Sequence, residues 1–250
     1  MLLKQIEDIT NPFQSISLSE MDSVNLMNRI DTKFALSEKQ FMDIFANLKD
    51  EYTILEVNKS KYSEYESLYF DQADFKFYTD HHRGKANRMK IRIRKYKSND
   101  LSFLEVKRKR KGQTIKSRIK SNSWGTSLTD KEREFLSGLY PNHSKLMTSL
   151  ENNFLRITLV HRTRIERLTF DLNISYRKEE KSIPLENLVI CELKQEKINR
   201  LNTFYSIMKK KRIRPLKISK YCLGIMEFYS ASIKSNRFKK KTLQLKKILC

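Results

Sequence analysis

The stretch RMKIRIRKY, residues 88–96, alternates two kinds of side chain along its length. Lys90, Arg92 and Arg94 are cationic, and apolar residues stand between them. Residues two positions apart in a β-strand lie on the same face. The spacing therefore predicts a strand with one cationic face and one apolar face.

The same alternation recurs elsewhere, so the charged face extends over several predicted strands. The further segments are residues 29–34, 104–109, 115–120, 167–172 and 191–194. Most of their charged side chains are cations, but Glu105 and Glu192 each stand two residues before a lysine. Such an acid either forms an ion pair that lowers the repulsion or holds Mg²⁺ or Mn²⁺ against phosphate oxygens.

The charge balance of the whole chain is unusual. Its 250 residues include 51 Lys and Arg against 29 Asp and Glu, a formal net charge of +22. Self-repulsion at this charge opposes compaction, so we expect a bound polyanion to neutralise part of it. The candidates are nucleic acid, an anionic membrane, a nucleotide and inorganic polyphosphate. With 39% hydrophobic residues the chain still has the composition of a folded protein.

Cysteine usage and the N-terminal sequence predict a cytoplasmic protein. Cys191, Cys222 and Cys250 are widely spaced and suggest neither a disulfide framework nor a zinc site. The first residues include acids and no apolar run, and no stretch approaches the roughly 18 apolar residues of a membrane span. A peripheral position at a membrane would require an anionic membrane surface or a membrane-protein partner.

One domain is predicted over residues 1–230, followed by a basic tail over residues 231–250. No Pro- or Gly-rich linker divides the first part. The tail is expected either to be solvated or to contact anionic lipid or an emerging anionic product.

Local signals predict helices between the strands. Ser37 followed by Gln40 has the spacing of a helix capping box. Helices are also predicted over residues 145–152 and 219–229.

Two architectures can accommodate the charged faces. In the first, an open sheet packs its apolar face on the core and exposes its charged face to water. In the second, the strands close into a barrel with the charges inside and helices covering the apolar outside. Two cations about 4 Å apart repel by roughly 4 kcal/mol at an effective dielectric of about 20, so such a lumen must be wet or hold a polyanion. Alternation alone leaves both open.

The basic faces argue against nucleic acid as the polyanion. Proteins that bind single strands typically place aromatic side chains among the basic ones, where the bases stack. The basic faces of residues 90–94 and 105–109 contain no aromatic side chain.

Six short motifs also follow one another in a distinctive order between Arg29 and Tyr229. They are FYTDHHRGK (77–85), RMKIRIRKY (88–96), FLEVKRK (103–109), RLTFDLNI (167–174), CELK (191–194) and SKY (219–221). The ordered set resembles the VTC domain, the catalytic domain of the vacuolar transporter chaperone polyphosphate polymerases. That family belongs with the triphosphate tunnel metalloenzymes.

The resemblance implies an α+β fold, in which an antiparallel β-barrel tunnel has a basic lumen, helices pack outside and a C-terminal helix closes it. It also implies which residues bind phosphates, with Arg164 an alternative to Arg162. The expected residues are Lys33, Arg92, Arg94, Lys107, Lys116, Arg118, Arg162, Arg167, Lys194, Lys217 and Lys220.

A divalent metal, Mn²⁺ or Mg²⁺, is the cofactor that the resemblance implies. Glu192 matches the metal-binding glutamate of the family, and Glu105 and Asp31 are further candidate ligands. The related CYTH phosphatases and cyclases begin with Glu-x-Glu-x-Lys, whereas this chain has Arg29-Ile-Asp31-Thr-Lys33. A cation replaces one carboxylate, which favours the VTC family.

The activity implied by the resemblance is ATP-dependent polyphosphate synthesis, with ATP and inorganic polyphosphate as the ligands. Two alternatives stay open. The first is a tunnel-type triphosphatase, in which water replaces the acceptor phosphate. The second is a non-catalytic protein that binds polyphosphate or another polyanion.

Overall fold

The computed structural model describes residues 1–23, 30–110, 113–124 and 127–249. Arg29, expected in the first basic strand, lies outside these ranges. The described strands are β1 Ser15–Ile16, β2 Ile30–Ser37, β3 Tyr52–Leu55, β4 Ser63–Asp71, β5 Arg88–Tyr96, β6 Leu101–Arg110, β7 Gln113–Lys120, β8 Met147–His161, β9 Glu166–Lys178, β10 Lys181–Pro184 and β11 Leu188–Gln195. The described α-helices are α1 Leu3–Thr10, α2 Leu18–Ser23, α3 Glu38–Phe45, α4 Lys76–His82, α5 Asp130–Ser137, α6 Thr203–Lys210, α7 Lys220–Tyr229 and α8 Lys239–Leu249. None of these helices is long and apolar enough to span a lipid bilayer.

The described strands form one sheet. Its main path runs β2-β11-β9-β8-β4-β5-β6-β7, and every pair along this path is antiparallel. Strand β10 pairs with β9, and β3 pairs with β8 and, in parallel, with β1. The predicted antiparallel sheet with helices is confirmed. Closure into a barrel is not, because no backbone pairing joins β7 to β2 among the described residues.

Strand pairing gathers the charged side chains on one face of the sheet. Strand β5 has the predicted bounds, residues 88–96. Its Arg92 lies opposite Glu105 of β6, and Glu192 of β11 lies opposite Lys33 of β2. Directly opposite residues in an antiparallel pair point to the same face, so the charges of neighbouring strands lie side by side.

Helices cover the apolar face. Helix α3 begins at the predicted capping box, where Ser37 Oγ accepts a hydrogen bond from Gln40 N at 3.2 Å. The Phe41 ring on this helix lies 5.2 Å from that of Phe170 on β9, measured between centroids. On the other part of the sheet, Leu136 of α5 is buried in one cluster with the apolar residues of β5 and β6.

The helix predicted over residues 145–152 is wrong, because residues 147–152 belong to the first half of β8. Met147 pairs with Asp71 of β4, and Asn152 pairs with Tyr176 of β9. The local spacing suits a helix, but a helix here would leave the facing edges of β4 and β9 without hydrogen-bond partners.

The basic segment after residue 230 is folded over its described residues, although most of its charged side chains are exposed. Both expectations for it, a solvated tail and contact with an anion, therefore stay predictions. Helix α8 follows a short 3₁₀ turn, Asn236–Phe238. Phe238 and Leu245 are buried, with exposed fractions of 8% and 6%. Burial of these two apolar side chains in the hydrophobic core stabilises the folded position of this basic segment. The division of the chain at residue 230 stays a prediction.

Candidate functional site

A cavity of about 1530 Å³ lies at the charged face of the sheet. Strands β2 and β11, at one end of the strand path, contribute to its wall, and so do β5, β6 and β7 at the other end. The sheet therefore curves enough for its two ends to face the same space. Side chains that lie far apart in the sequence meet there.

Cations dominate the lining of this cavity. The lining cations are Lys33, Arg88, Lys90, Lys107, Lys109, Lys116, Lys217 and Lys241. The lining carboxylates are Asp31, Glu192 and Glu196, all on or next to β2 and β11. A space with this charge distribution suits a polyanion better than a neutral molecule.

Glu192 is the central carboxylate of the site. Its Oε1 lies 3.3 Å from Lys33 Nζ and its Oε2 lies 3.1 Å from Lys194 Nζ. Lys194 Nζ also donates to Thr169 Oγ1 at 3.3 Å. Burial opposes ionisation of Glu192, but Lys194 and Lys33 outweigh it and hold the pKa of this carboxyl well below its usual value. The carboxylate is therefore charged and ready to bind a cation at any physiological pH.

A second ion pair fixes one of the predicted phosphate-binding arginines. Arg92 Nε and Nη2 both donate to Glu105 Oε2, at 2.8 and 2.6 Å, and Nη1 donates to Tyr69 Oη at 3.2 Å. Burial acts against the charge of Glu105, yet Arg92 and Arg94 lower its pKa to about 2. The structure thus uses Glu105 to orient a guanidinium, which reduces its availability as a metal ligand.

A third cluster connects β8, β9 and α7. Arg156 Nε and Nη2 donate to the two carboxylate oxygens of Asp171 at 2.6 and 2.8 Å, a bidentate pair. Lys220 Nζ also contacts Asp171 and lies 4.3 Å from the centre of the Phe154 ring. Despite its burial, Asp171 has a lowered pKa because both cations favour its charged form. Asp171 therefore anchors the first residue of α7 to the sheet.

Three lysines of the site hold their protons weakly. Burial, together with the charges of neighbouring cations, lowers the pKa of Lys90 and of Lys220 to about 7. The pKa of Lys107 falls to about 8 for the same two reasons. Because Lys33 acts on all three, these side chains lie around one space. An anion placed there would stabilise the charged form of each.

The structure brings most of the predicted site residues together. Lys33, Lys107, Lys116, Lys217, Asp31 and Glu192 line the cavity. Arg92, Arg94, Lys194, Lys220 and Glu105 belong to the adjoining network of ion pairs and charges.

Two predicted arginines lie at the margins of the charged face. Arg118 is on β7, at the end of the strand path, with its guanidinium carbon 4.8 Å from the centre of the Phe103 ring. Arg167 Nη2 donates to the carbonyl oxygen of Met21 at 3.2 Å.

The placement of Arg162 requires a correction. This residue follows the end of β8, and its guanidinium donates to Gln14 Oε1 at 2.5 Å. It is exposed and outside the charge network. Arg156 is the β8 arginine that reaches the charged cluster, and sequence reasoning missed it together with Asp171. Alternation could have found Arg156, because Leu155 and Ile157 flank it.

Aromatic rings lie against the inner arginines, although the basic faces of residues 90–94 and 105–109 carry none themselves. The guanidinium carbon of Arg94 is 5.3 Å from the centre of the Tyr65 ring, and that of Arg156 is 5.2 Å from Phe154. These rings come from β4 and β8. Phe154 is only 3% exposed, so it supports a guanidinium and offers no open face for a nucleic-acid base.

A divalent metal fits this donor set if the substrate supplies most of its ligands. No group of three or more His, Cys, Asp or Glu side chains in the described ranges could hold a metal without help. Mg²⁺ in phosphate-binding sites typically uses one or two carboxylates, with phosphate oxygens and water completing the shell. Glu192 meets this need, and Asp31 lines the same cavity.

Comparisons with known proteins agree with this fold. A solved structure of a putative adenylate cyclase from Bacillus halodurans is similar with a TM-score of 0.52 and 13% sequence identity, covering 81% of this chain and 97% of that one. A putative adenylyl cyclase from Hippeastrum, described as having a dominant triphosphatase activity, has a TM-score of 0.49 and 14% identity, with 82% and 97% covered. At these identities the first likeness shows the fold alone.

Comparison of the sequence with protein-family models identifies the family of this chain. No curated protein matches the chain. The sequence model of the VTC domain matches residues 28–229, which contain every motif quoted above and nearly all of the charged face. The resemblance inferred from those motifs is thereby confirmed: the chain belongs to the VTC domain family.

Proposed function

We propose that this protein is a polyphosphate polymerase, which transfers the γ-phosphoryl group of ATP to a growing chain of inorganic polyphosphate. Membership of the VTC domain family supports this proposal. The observation that carries it is the convergence of cations from both ends of the strand path on one space beside Glu192. That space has the charge and the size for linked phosphates.

The triphosphate of ATP binds in the cavity, which acts as the basic lumen of a tunnel. Lys33, Lys107 and Lys116 neutralise phosphate oxygens from three strands. Arg92 is held by Glu105 in one orientation, so little entropy is lost when its free N–H groups bind an oxygen. Lys220 reaches the same space from the start of α7.

The transfer itself needs no protein nucleophile. A terminal oxygen of the acceptor chain forms a bond to the γ-phosphorus, and the bond from that phosphorus to the β-phosphate oxygen breaks. The products are ADP and a chain longer by one phosphate. Because the acceptor is already an anion, the protein contributes positioning and neutralisation of charge.

A divalent cation, Mn²⁺ or Mg²⁺, is part of the proposal. Glu192 would hold it, with Asp31 as a second candidate ligand. When bound, the metal would neutralise phosphate oxygens and orient them. Lys33 and Lys194 now contact Glu192, so they would turn towards phosphate oxygens once the carboxylate binds a cation.

The direct test is synthesis of polyphosphate by the purified protein from ATP with Mn²⁺ or Mg²⁺. We expect the Glu192→Ala variant to lose about 100-fold or more of the rate, since it removes the central carboxylate. Glu186→Ala is the matched control, because Glu186 is exposed and precedes the same strand. Thermal unfolding of both variants would show that the fold is retained.

The products decide between the proposal and its alternatives. ADP with lengthening phosphate chains supports a polymerase. Release of ADP and orthophosphate without any chain would identify water as the acceptor and a tunnel-type triphosphatase. Tight, salt-sensitive binding of polyphosphate without turnover would identify a binding protein. Full activity of the Glu192→Ala variant would contradict the role of this residue.

A further inference from the structure

Helix α8 lies beyond the residues that match the VTC domain, yet it forms part of the cavity wall. The family match ends at residue 229, and α8 spans Lys239–Leu249. The helix packs beside β2, and Lys241, Thr242 and Leu245 line the cavity. Next to it, Leu216 N donates to the carbonyl oxygen of Lys33 on β2 at 2.7 Å. The C-terminal part of the chain thus lies at the end of the sheet where, among the described residues, no backbone pairing joins β7 to β2.

Contacts with α4 hold this part of the chain in place. Tyr78 Oη donates to the carbonyl oxygen of Lys234 at 3.1 Å, and Arg237 N donates to His82 Nε2 at 3.1 Å. The ring of Phe238 lies 5.2 Å from that of His82, nearly perpendicular to it. Tyr78, His82 and Phe238 are buried, so the position of α8 is a property of the fold. His82 has a structural role here, because its ring joins α4 to this part of the chain.

One lysine of α8 differs from its neighbours in where it points. Lys239 and Lys240 are exposed, whereas Lys241 is half-buried and lines the cavity. Burial lowers the pKa of Lys241, and the charges of Lys217 and Arg88 act in the same direction. Three cations therefore lie close together at this side of the cavity.

Within the part of the chain that the structure describes, no carboxylate forms an ion pair with these three cations. The lining residues within 81–116 and 217–245 include no Asp or Glu. Among the described residues, Arg88, Lys217 and Lys241 have no ion-pair partner. The side of the cavity around Glu192 is different, since each of its cations lies near a carboxylate. An uncompensated group of this kind is stabilised by an anion that the protein itself does not supply.

We propose that Lys241, together with Lys217 and Arg88, forms an outer subsite that binds phosphates of a linear polyphosphate chain beyond the triphosphate held near Glu192. The proposal rests on the proposed function and extends it, because a site for the triphosphate does not require cations on α8. Binding at the outer subsite would retain a long chain between additions. It would contribute little for a ligand of three phosphates, which the cations nearer Glu192 can satisfy.

The test compares two anions and two variants. Affinities for tripolyphosphate and for long-chain polyphosphate are measured by calorimetry for the wild type, Lys241→Gln and Lys240→Gln. Loss of one charge-assisted contact predicts about tenfold weaker binding of the long chain to Lys241→Gln, with tripolyphosphate binding changed by no more than about twofold. Lys240→Gln, with the same change in net charge, should match the wild type for both anions.

The outcomes separate this proposal from its rivals. Equal weakening by the two variants, or no weakening by either, would overturn the outer subsite. Failure of the wild type to bind tripolyphosphate would count against the proposed function instead.

Sedimentation with vesicles that contain phosphatidylserine tests the remaining source of phosphate groups. If the Lys241→Gln substitution weakened binding to vesicles and left polyphosphate binding intact, α8 would face lipid and the proposal would be wrong. An unchanged unfolding temperature without ligand would show that Lys241→Gln leaves the helix docked.

Discussion

At the scale of single residues, the buried arginines and lysines of the site differ in how firmly they keep their charge. Glu105 and Asp171 outweigh the effect of burial on Arg92 and Arg156 and raise the pKa of each guanidinium. Burial is the main cause that lowers the pKa of Lys90 and Lys220 to about 7 and that of Lys107 to about 8. The arginines are thus permanent charges in fixed orientations, whereas the charge of the lysines depends on the presence of an anion.

This difference predicts a pH dependence of triphosphate binding. Lys90 and Lys220 have pKa values of about 7, and Lys107 of about 8, so they lose protons as the pH rises through this range. A bound anion favours their charged forms and raises each pKa. Binding should therefore weaken from about pH 7 to about pH 9 and take up protons at about pH 8. Calorimetry in two buffers of different ionisation enthalpy measures this uptake.

The Lys90→Arg variant controls for titration of the ligand itself. An arginine keeps its proton throughout this range, so the pH slope should be shallower than in the wild type. The phosphates titrate equally in both measurements and cancel in the comparison. Identical slopes for the two proteins would contradict the lowered pKa of Lys90.

At the scale of elements, α7 is placed by close packing as well as by charge. A Cβ added at Gly224 would lie 2.6 Å from Tyr176 Cδ1 and 2.9 Å from Leu150 Cδ2. Tyr176 is fully buried, and its hydroxyl donates to the carbonyl oxygen of Lys220 at 2.9 Å. The tyrosine therefore cannot move aside without disturbing the start of α7. A glycine inside this helix lets Lys220 approach the sheet.

The Gly224→Ala variant should accordingly be destabilised. Alanine is favoured over glycine in a helix by about 0.8–1 kcal/mol, but overpacking a rigid core costs about 1–3 kcal/mol. We expect the clash to prevail, with a net loss of about 1–2 kcal/mol in the free energy of unfolding measured with urea.

Gly138→Ala is the matched control. The nearest atom to its added Cβ is 4.0 Å away, so this variant should be as stable as the wild type or slightly more so. Equal stability of the two variants would show that α7 can shift.

At the scale of the whole molecule, the fold brings part of the net charge of +22 together at one cavity, where it can bind an anion. Two opposite ends of a strand path and a C-terminal helix contribute cations to one cavity. Burial first, and neighbouring cations second, lower the pKa of Lys90 and Lys107, so the charge of these lysines is unfavourable there without an anion. A polyanion that binds the folded state alone should therefore stabilise it.

Polyphosphate should raise the unfolding temperature by several degrees, and added NaCl should reduce this shift, because salt competes for the same cations. Differential scanning fluorimetry over a series of salt concentrations measures both effects. A single-stranded oligonucleotide with the same number of phosphates is the control. It should stabilise less, since the rings near the inner arginines are not open for stacking. Equal stabilisation by the two polymers would indicate a general affinity for polyanions.

Local sequence determined much of this protein. Alternation at 88–96 predicted the bounds and the two faces of β5, the spacing of Ser37 and Gln40 predicted the start of α3, and the ordered motifs predicted the family. These signals arise from neighbouring residues, because strand pleat and helix caps depend on spacings of two or three positions.

The tertiary structure alone decided which charges meet. Strand pairing made residues 147–152 part of β8 and placed Arg156, rather than Arg162, in the charged cluster beside Asp171. Among the described residues it left β7 unpaired with β2. Packing of Phe238 and Leu245 turned a basic tail into a wall of the cavity. Register and helix docking depend on contacts between residues far apart in the chain, and the period of a strand carries no information about its partner.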